Sequence, residues 1–381
     1  MLRKILTFFQ KETVLSISAI LAILSMFIVH PSGKYLSYID FRTLSLLFCL
    51  MSIVAGLSEI GLFDYLAEKI LSRANSIKSI IVLLVLLCFF FSMIITNDVA
   101  LITFVPLAII ILKKMSEKQK NYWILRTVVM QTIAANLGSM LTPIGNPQNL
   151  YLYARANMSA LALIRLMLPY SIAALVLLLV WIQIAAHREP GSTTENHISE
   201  LFSIHKTKAP NQTSLIGYLI LFLICLLVVA RIIDYRISFI LVIGYIFFKN
   251  WHLFKKVDYS LLLTFTALFI FIGNLKCIPQ FNHFLISIID GHETLTAILS
   301  SQIISNVPAA ILLSGFTKNY SALIIGTNIG GLGTLIASMA SLISFKYIAK
   351  EKTTLRGKYF MMFTIANIVF LILLLLCINL L

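Results

Sequence analysis

The chain has 381 residues, of which 59% are apolar and 12% charged, where a soluble globular domain carries about 25% charged residues. A single water-exposed core cannot absorb that apolar excess, which excludes a soluble enzyme, a disulfide-stapled secreted scaffold and a disordered chain, and leaves a polytopic membrane protein. The net charge is +15, but the basic residues lie in short loops between apolar runs and are not interleaved with aromatics as a nucleic-acid groove requires. They report orientation and contact with anionic headgroups, and no nucleic-acid partner is expected.

A membrane helix needs about 20 mostly apolar residues. In chain order the candidates are 14–29, 43–58, 79–95, 99–112, 127–154, 166–186, 213–230, 237–248, 260–275, 294–316, 320–345 and 359–380. The first follows Arg3, Lys4 and Lys11 and is read as a retained span, since His30-Pro31-Ser32-Gly33-Lys34 is a poor cleavage site. Glu59, Asp64, Glu68, Lys69 and Arg73 flank apolar residues in the pattern of an amphipathic helix lying in the interface. Segments 79–95 and 99–112 are parted only by Thr96-Asn97-Asp98, which predicts a re-entrant helical hairpin over 79–112. Segment 127–154 holds Thr142-Pro143-Ile144-Gly145-Asn146-Pro147-Gln148-Asn149 in its middle. Proline removes a backbone donor and glycine loosens the helix, so a broken span is expected there. The polar stretch His187–Asn211, with His187, His197 and His205, reads as a cytoplasmic linker; its histidine spacing suits no metal pair on one helix. Segment 294–316 contains Ser305-Asn306-Val307-Pro308 and predicts a second hairpin, and 320–345 carries Gly326, Gly330, Gly331 and Gly333 and predicts a second broken span. The five cysteines are scattered, with no CxxC pair, and indicate no metal or redox site.

With both hairpins re-entrant and the N-terminus inside, 22 of the 30 Lys and Arg fall in inner loops and 8 in outer loops. That bias favours nine full spans in the cytoplasmic membrane, with the N-terminus in and the C-terminus out. Arg42, Arg155 and Lys276 stand near outer span ends and are read as snorkelling to the headgroups.

The chain also resembles itself. Asp40-Phe41 answers to Asp258-Tyr259 at an offset of 218, and Thr96-Asn97 to Ser305-Asn306. At an offset of 192, Asn136-x-Gly138 answers to Asn328-x-Gly330, Thr142 to Thr334, Asn146 to Ser338 and Asn149 to Ser341. By the charge count the two copies start on opposite sides. The expected organisation is an N-terminal span (1–38), a first inverted repeat (39–186), the linker (187–212), connecting spans (213–256) and a second repeat (257–381). The fold class is therefore an all-α polytopic membrane protein with inverted-topology repeats, two re-entrant helical hairpins and two broken transmembrane helices. Interrupted segments at matching places in two inverted halves point to a binding site that is exposed alternately to either side.

The candidate substrate- and ion-binding residues are Thr96, Asn97, Asp98, Thr142, Gly145, Asn146, Pro147, Asn149, Ser305, Asn306, Asn328, Gly330, Gly333, Thr334 and Ser338. Helix N-termini there offer N–H groups to an anion, while unwound carbonyls and the amides of Asn97, Asn146 and Asn306 suit Na⁺. Asp98 is the one acid placed well inside the apolar layer, where a carboxylate is expensive, about +2.5–3.5 kcal/mol on insertion scales. It is a candidate to carry a proton or hold a cation, or alternatively to cap the helix from Val99 onward.

At Thr142–Leu150, Ser305–Ala309, the openings Asp40 and Asp258 and the glycine-rich 326–336 stretch, the chain resembles the ion transporter superfamily. That superfamily comprises citrate transporters, divalent anion/sodium symporters, arsenite permeases and some sodium/proton antiporters. The resemblance implies a dimerising scaffold domain and a transport domain that crosses the membrane as an elevator. Dicarboxylate and citrate members typically use Ser-Asn-Thr at both hairpin tips. Here the tips read Thr96-Asn97-Asp98 and Ser305-Asn306-Val307, and the first is closer to the arsenite-permease and antiporter relatives. The expected function is a secondary transporter, rather than an enzyme or a channel, for a small anion such as a di- or tricarboxylate or an inorganic oxyanion. It would be a homodimer coupled to Na⁺ or H⁺ with no enzymatic cofactor. A sodium/proton antiporter or an arsenite-type efflux permease is the alternative.

Overall fold

The computed structural model describes residues 12–189, 209–351 and 355–380, so Arg3, Lys4, Lys11, His197, His205 and most of the expected linker lie outside the described residues. Within them the secondary structure is helical, with no strand. The first part of the chain holds α1 (Thr13–Ile28), α2 (Tyr35–Tyr38), α3 (Phe41–Glu59), α4 (Leu62–Leu71), α5 (Ile77–Ile95), α6 (Asn97–Lys113), α7 (Glu117–Ser139), α8 (Pro147–Arg155) and α9 (Ala160–His187). The second part holds α10 (Gln212–Val229), α11 (Tyr235–Asn250), α12 (Tyr259–Lys276), α13 (Pro279–Ile289), α14 (Glu293–Ile304), α15 (Asn306–Leu313), α16 (Tyr320–Ile329), α17 (Met339–Glu351) and α18 (Arg356–Leu380).

The helix starts are written in the sequence. Asp40 and Asp258 accept the N–H groups of Thr43 and Leu261, each at 3.0 Å. Ser76, Ser116, Ser159 and Asn319 cap α5, α7, α9 and α16 in the same way. Each cap satisfies a backbone donor that the first helical turn leaves open. After α3, Gly61 at φ 74° turns the chain into α4, which buries Phe63, Ala67 and Leu71 on one face and leaves Asp64 and Lys69 exposed. That is the amphipathic pattern expected for this stretch.

Seven helices are long and apolar enough to cross a membrane: α3, α5, α9, α10, α11 with the turn that follows it, α12 and α18. They sort by burial. The most apolar windows of α3, α5 and α12 are 56%, 44% and 50% buried, against 22–33% for α9, α10, α11 and α18. The outer set shows Ile172, Val176, Leu223, Ile240, Phe248, Ile365 and Ile372 at its surface. An apolar surface of that extent is at home in lipid and not in water. The protein is a multi-pass membrane protein.

Two pairs of adjacent helices are joined by a single residue. Thr96 alone (φ 76°, ψ 152°) links α5 to α6, and Ser305 alone (φ 73°, ψ 153°) links α14 to α15. The sequence places Thr96-Asn97-Asp98 together in the turn; Asn97 and Asp98 instead belong to the first turn of α6, because one left-handed residue suffices to reverse the chain. The arms differ in length. α5 and α6 have 19 and 17 residues, about 28 and 26 Å, whereas α14 and α15 have 12 and 8, about 18 and 12 Å. By length α5 is itself one of the seven, where the expected count of nine spans treats it only as half of a hairpin; its Ser76 cap starts the helix at Ile77, ahead of the apolar run.

Two further helices are interrupted, between α7 and α8 over 140–146 and between α16 and α17 over 330–338. The first break is shorter than Thr142–Asn149. Pro147 occupies the first helical position, where its fixed φ fits, and Asn146 caps the Asn149 N–H at 2.9 Å, so the helix resumes before Asn149. Likewise Asn328 still belongs to α16, and Ser341 already belongs to α17.

α3 and α12 run in opposite directions. Glu59 at the end of α3 pairs with Lys256, just before α12, at 2.8 Å, while Asp40 at the start of α3 shares a cleft with Lys276 at the end of α12. Arg42 is not a snorkelling side chain: its Nη2 donates to the Val228 carbonyl at 2.9 Å and ties α3 to α10.

Candidate functional site

Each reversed tip is fastened to one of the interrupted helices. The Asn97 N–H donates to the Gly145 carbonyl at 3.1 Å, and the Asn306 N–H to the Ala337 carbonyl at 2.9 Å. Thr142 Oγ1 donates to the Met93 carbonyl and Thr334 Oγ1 to the Gln302 carbonyl, three residues before each tip. Both contacts recur at the offsets read from the sequence, 209 for the tips and 192 for the breaks. Glycine is required where these elements meet. A Cβ on Gly145 would stand 2.1 Å from the Ser139 carbonyl oxygen, and one on Gly138 2.1 Å from that of Phe89. Gly333 has φ +106°, and a Cβ there would stand 2.2 Å from Gln302 Oε1.

Two buried asparagines knit the breaks together. Asn136 Oδ1 accepts from Asn97 Nδ2 at 3.2 Å and from Ser338 Oγ at 3.0 Å, and Asn136 Nδ2 donates to Ser341 Oγ at 3.3 Å. Asn328 Oδ1 accepts from Asn146 Nδ2 at 2.9 Å, and Asn328 Nδ2 donates to Asn149 Oδ1 at 2.6 Å. The pattern is reciprocal: the end of each helix binds the restart of the other, and the partners 146 and 149 correspond to 338 and 341 at the offset of 192.

A cavity of about 550 Å³ reaches this network between α3, α6, α8, α12 and α17. Of the residues singled out by sequence, Thr96, Asp98, Asn146 and Pro147 line it. Asn97, Asn149, Asn328 and Ser338 are buried in the network, and Ser305, Asn306 and Gly330 are buried at the second tip and break. Thr142 and Thr334 fasten the breaks to the tip helices, and Thr334 is exposed. The structure thus brings all four clusters together but turns only the first tip and break toward the cavity. The Asp98 carboxylate has no hydrogen-bond or ion-pair partner among the described residues, so it does not cap α6; it is the Asp98 N–H that is used, donating to Asn97 Oδ1 at 3.0 Å. Asn97 Oδ1 and Asn146 Oδ1 each accept one N–H and keep a second lone pair that a cation could use.

Sequence reasoning did not single out Gln302. Its Nε2 donates to the carbonyls of Gly330 and Leu332, both at 2.9 Å, and its Oε1 accepts the Thr334 N–H at 3.0 Å, so one amide satisfies the second break. The available signal was an amide three residues before the tip, in the hairpin arm that leads into it. Lys256, Asp258 and Lys346, also at the large cavity, were not among the candidate site residues: the two lysines were counted with the inner loops, and Asp258 was read as the opening of the second repeat.

A second, smaller cleft of about 270 Å³ lies at the other end of α3. Its wall residues Asp40, Phe269, Ile272, Gly273, Ile311 and Tyr151 correspond, by the offsets above, to Asp258, Met51, Val54, Ala55, Ile102 and Ile343 of the large cavity. In its wall the Tyr151 ring packs on Phe265 and Phe269, with centroids 6.2 and 5.5 Å away.

The family profile described as "Citrate transporter" matches residues 5–321. An uncharacterized transporter of Methanocaldococcus jannaschii is 34% identical over 332 residues, 87% of this chain and 87% of that one. The inner membrane protein YbiR of Escherichia coli is 32% identical over 332 residues, covering 85% of this chain and 84% of its own. An uncharacterized transporter of Mycobacterium tuberculosis is 22% identical over 84% of this chain and 79% of its own.

Proposed function

Because the chain belongs to the citrate transporter family, within the ion transporter superfamily, we propose that it is a secondary transporter that carries a small anion across the cytoplasmic membrane by alternating access, coupled to Na⁺ or H⁺. The substrate class is a di- or tricarboxylate or an inorganic oxyanion. The observation that carries this reading is the pair of corresponding but unequal cavities, one of about 550 Å³ and one of about 270 Å³, at opposite ends of α3. Two inverted copies of one bundle that exchange conformations produce such a pair, open on one side and closed on the other. The opposed directions of α3 and α12 and the reciprocal contacts of Asn136 and Asn328 support the inversion.

In this reading residues 39–186 and 257–381 form the two repeats, with 187–212 as the linker. The tips and breaks move together as the transport domain of a homodimer. The large cavity carries Lys256 and Lys346, on the side to which the positive-inside bias assigns the cytoplasm, so this state is inward-open. The substrate binds between the tips and the breaks, at Thr96, Asn97, Asn146 and Asn306, and the coupling ion is held by break carbonyls and Asp98. The unpartnered Asp98 favours a second reading, a sodium/proton antiporter or arsenite-type efflux permease.

Reconstitution in liposomes tests both. Labelled citrate, succinate, sulfate and arsenite are presented under imposed Na⁺ or H⁺ gradients. Saturable, gradient-driven flux with counterflow of one of them is expected. Unsaturable electrodiffusive current would overturn alternating access, and Na⁺/H⁺ exchange without anion flux would replace the anion reading by the antiporter.

A further inference from the structure

The smaller cleft holds charges that the transport reading does not use. Arg155, at the end of α8, and Lys276, at the end of α12, line it together, and the Arg155 charge acts on Lys276. Neither makes an ion pair or a hydrogen bond with a described residue. The nearby Asp40 carboxylate is engaged by the Thr43 N–H at 3.0 Å and the Thr43 hydroxyl at 2.7 Å. With Asp40 counted, the cleft has a formal charge of +1, and its free donors are the two cations.

The cleft is built around these side chains. Lys276 is half-buried, and its stem passes over Gly315, where a Cβ would come within 3.1 Å of Lys276 Cε. The Tyr38 ring lies on Gly273, where a Cβ would come within 2.2 Å of it, and the Tyr38 hydroxyl stands 3.7 Å from Cys277 Sγ.

We propose that Arg155 and Lys276 form an anion-binding subsite in the cleft at the start of α3, for a small soluble carboxylate or oxyanion. The site is separate from the tips and breaks and does not rest on their role in transport. Arginine offers a planar fork and lysine a point charge, a combination that suits a carboxylate or sulfate-like group. A lipid phosphate has the same chemistry, and the test separates the two sources.

Cys277 is an exposed thiol in the same cleft and serves as the reporter, in a Cys377→Ser background that removes the other accessible thiol. Its labelling rates with a sulfonate-bearing and a trimethylammonium-bearing methanethiosulfonate are compared in nanodiscs of zwitterionic lipid. The anionic reagent is expected to be favoured relative to a free thiol, by about threefold for each cation present, as for unit charges several ångströms apart in water. Arg155→Gln and Lys276→Gln should each remove that factor, and millimolar citrate or sulfate should slow the anionic reagent in the parent protein but not in the double variant. Equal ratios in parent and variants would overturn the subsite. Loss of the anionic preference on adding anionic phospholipid, with no effect of citrate or sulfate, would assign the pair to a headgroup and overturn it as well. The readout needs no transport, so a failure here is distinguishable from a failure of the transport reading.

Discussion

The N–H groups of Asn97 and Asn306 tie the tips to the breaks; the Asn97 amide also donates to Asn136, and the Asn306 amide oxygen accepts from the neighbouring Ser305 hydroxyl. Asn97→Ala and Asn306→Ala keep the backbone bonds and remove only the amides. Each lost hydrogen bond destabilises the fold by roughly 0.5–1.5 kcal/mol, which leaves the protein folded by size-exclusion and thermal criteria. Transport in liposomes is expected to fall at least about tenfold in each variant, the factor that 1.4 kcal/mol of lost positioning produces; full activity in both would remove the tips from the site. Asp98→Asn keeps the shape and removes the charge that faces the cavity without a partner. The flux should then lose or change its dependence on the Na⁺ or H⁺ gradient, and an unchanged ion dependence would retire Asp98 as the coupling residue. Gly145→Ala places a methyl group against the Ser139 carbonyl oxygen, and it should lower both stability and flux.

Among the elements, what the sequence made legible was where helices stop, because caps, prolines and glycines act locally. Asp40 and Asp258 were visible as matched openings, and both turn out to cap their helices at the same distance. Less legible was which side of a break a residue falls on. Asn146 and Pro147 restart α8 earlier than the polar run suggests, and that depends on a capping bond rather than on composition. Gln302 was not legible, since its partners are carbonyls 28 and 30 residues away that exist only once α16 is broken. The caps give an element-level prediction. Asp40→Ala and Asp258→Ala should each cost about 1 kcal/mol, read as a lowered midpoint in thermal unfolding. The Asp258 variant should change flux as well, because that carboxylate also lines the large cavity.

For the whole molecule, the decisive comparison is between positions that correspond between the two halves but differ in environment. Ile102 on α6 is 50% exposed at the large cavity, whereas its counterpart Ile311 on α15, at the small cleft, is 1% exposed. A difference this wide between residues of the same type in corresponding places is what two halves in different conformations would produce. Exchange between the halves should therefore swap the two exposures. With Cys277→Ser and Cys377→Ser removing the accessible native thiols, Ile102→Cys is expected to react quickly with a membrane-impermeant thiol reagent, and Ile311→Cys slowly. Conditions that load the opposite side with substrate and coupling ion should slow the first and speed the second, and the two changes should share one dependence on ion concentration. A protein with a fixed pore would show no such opposition, and accessibility that rose or stayed constant at both positions would separate the correspondence of the two cavities from any exchange between them.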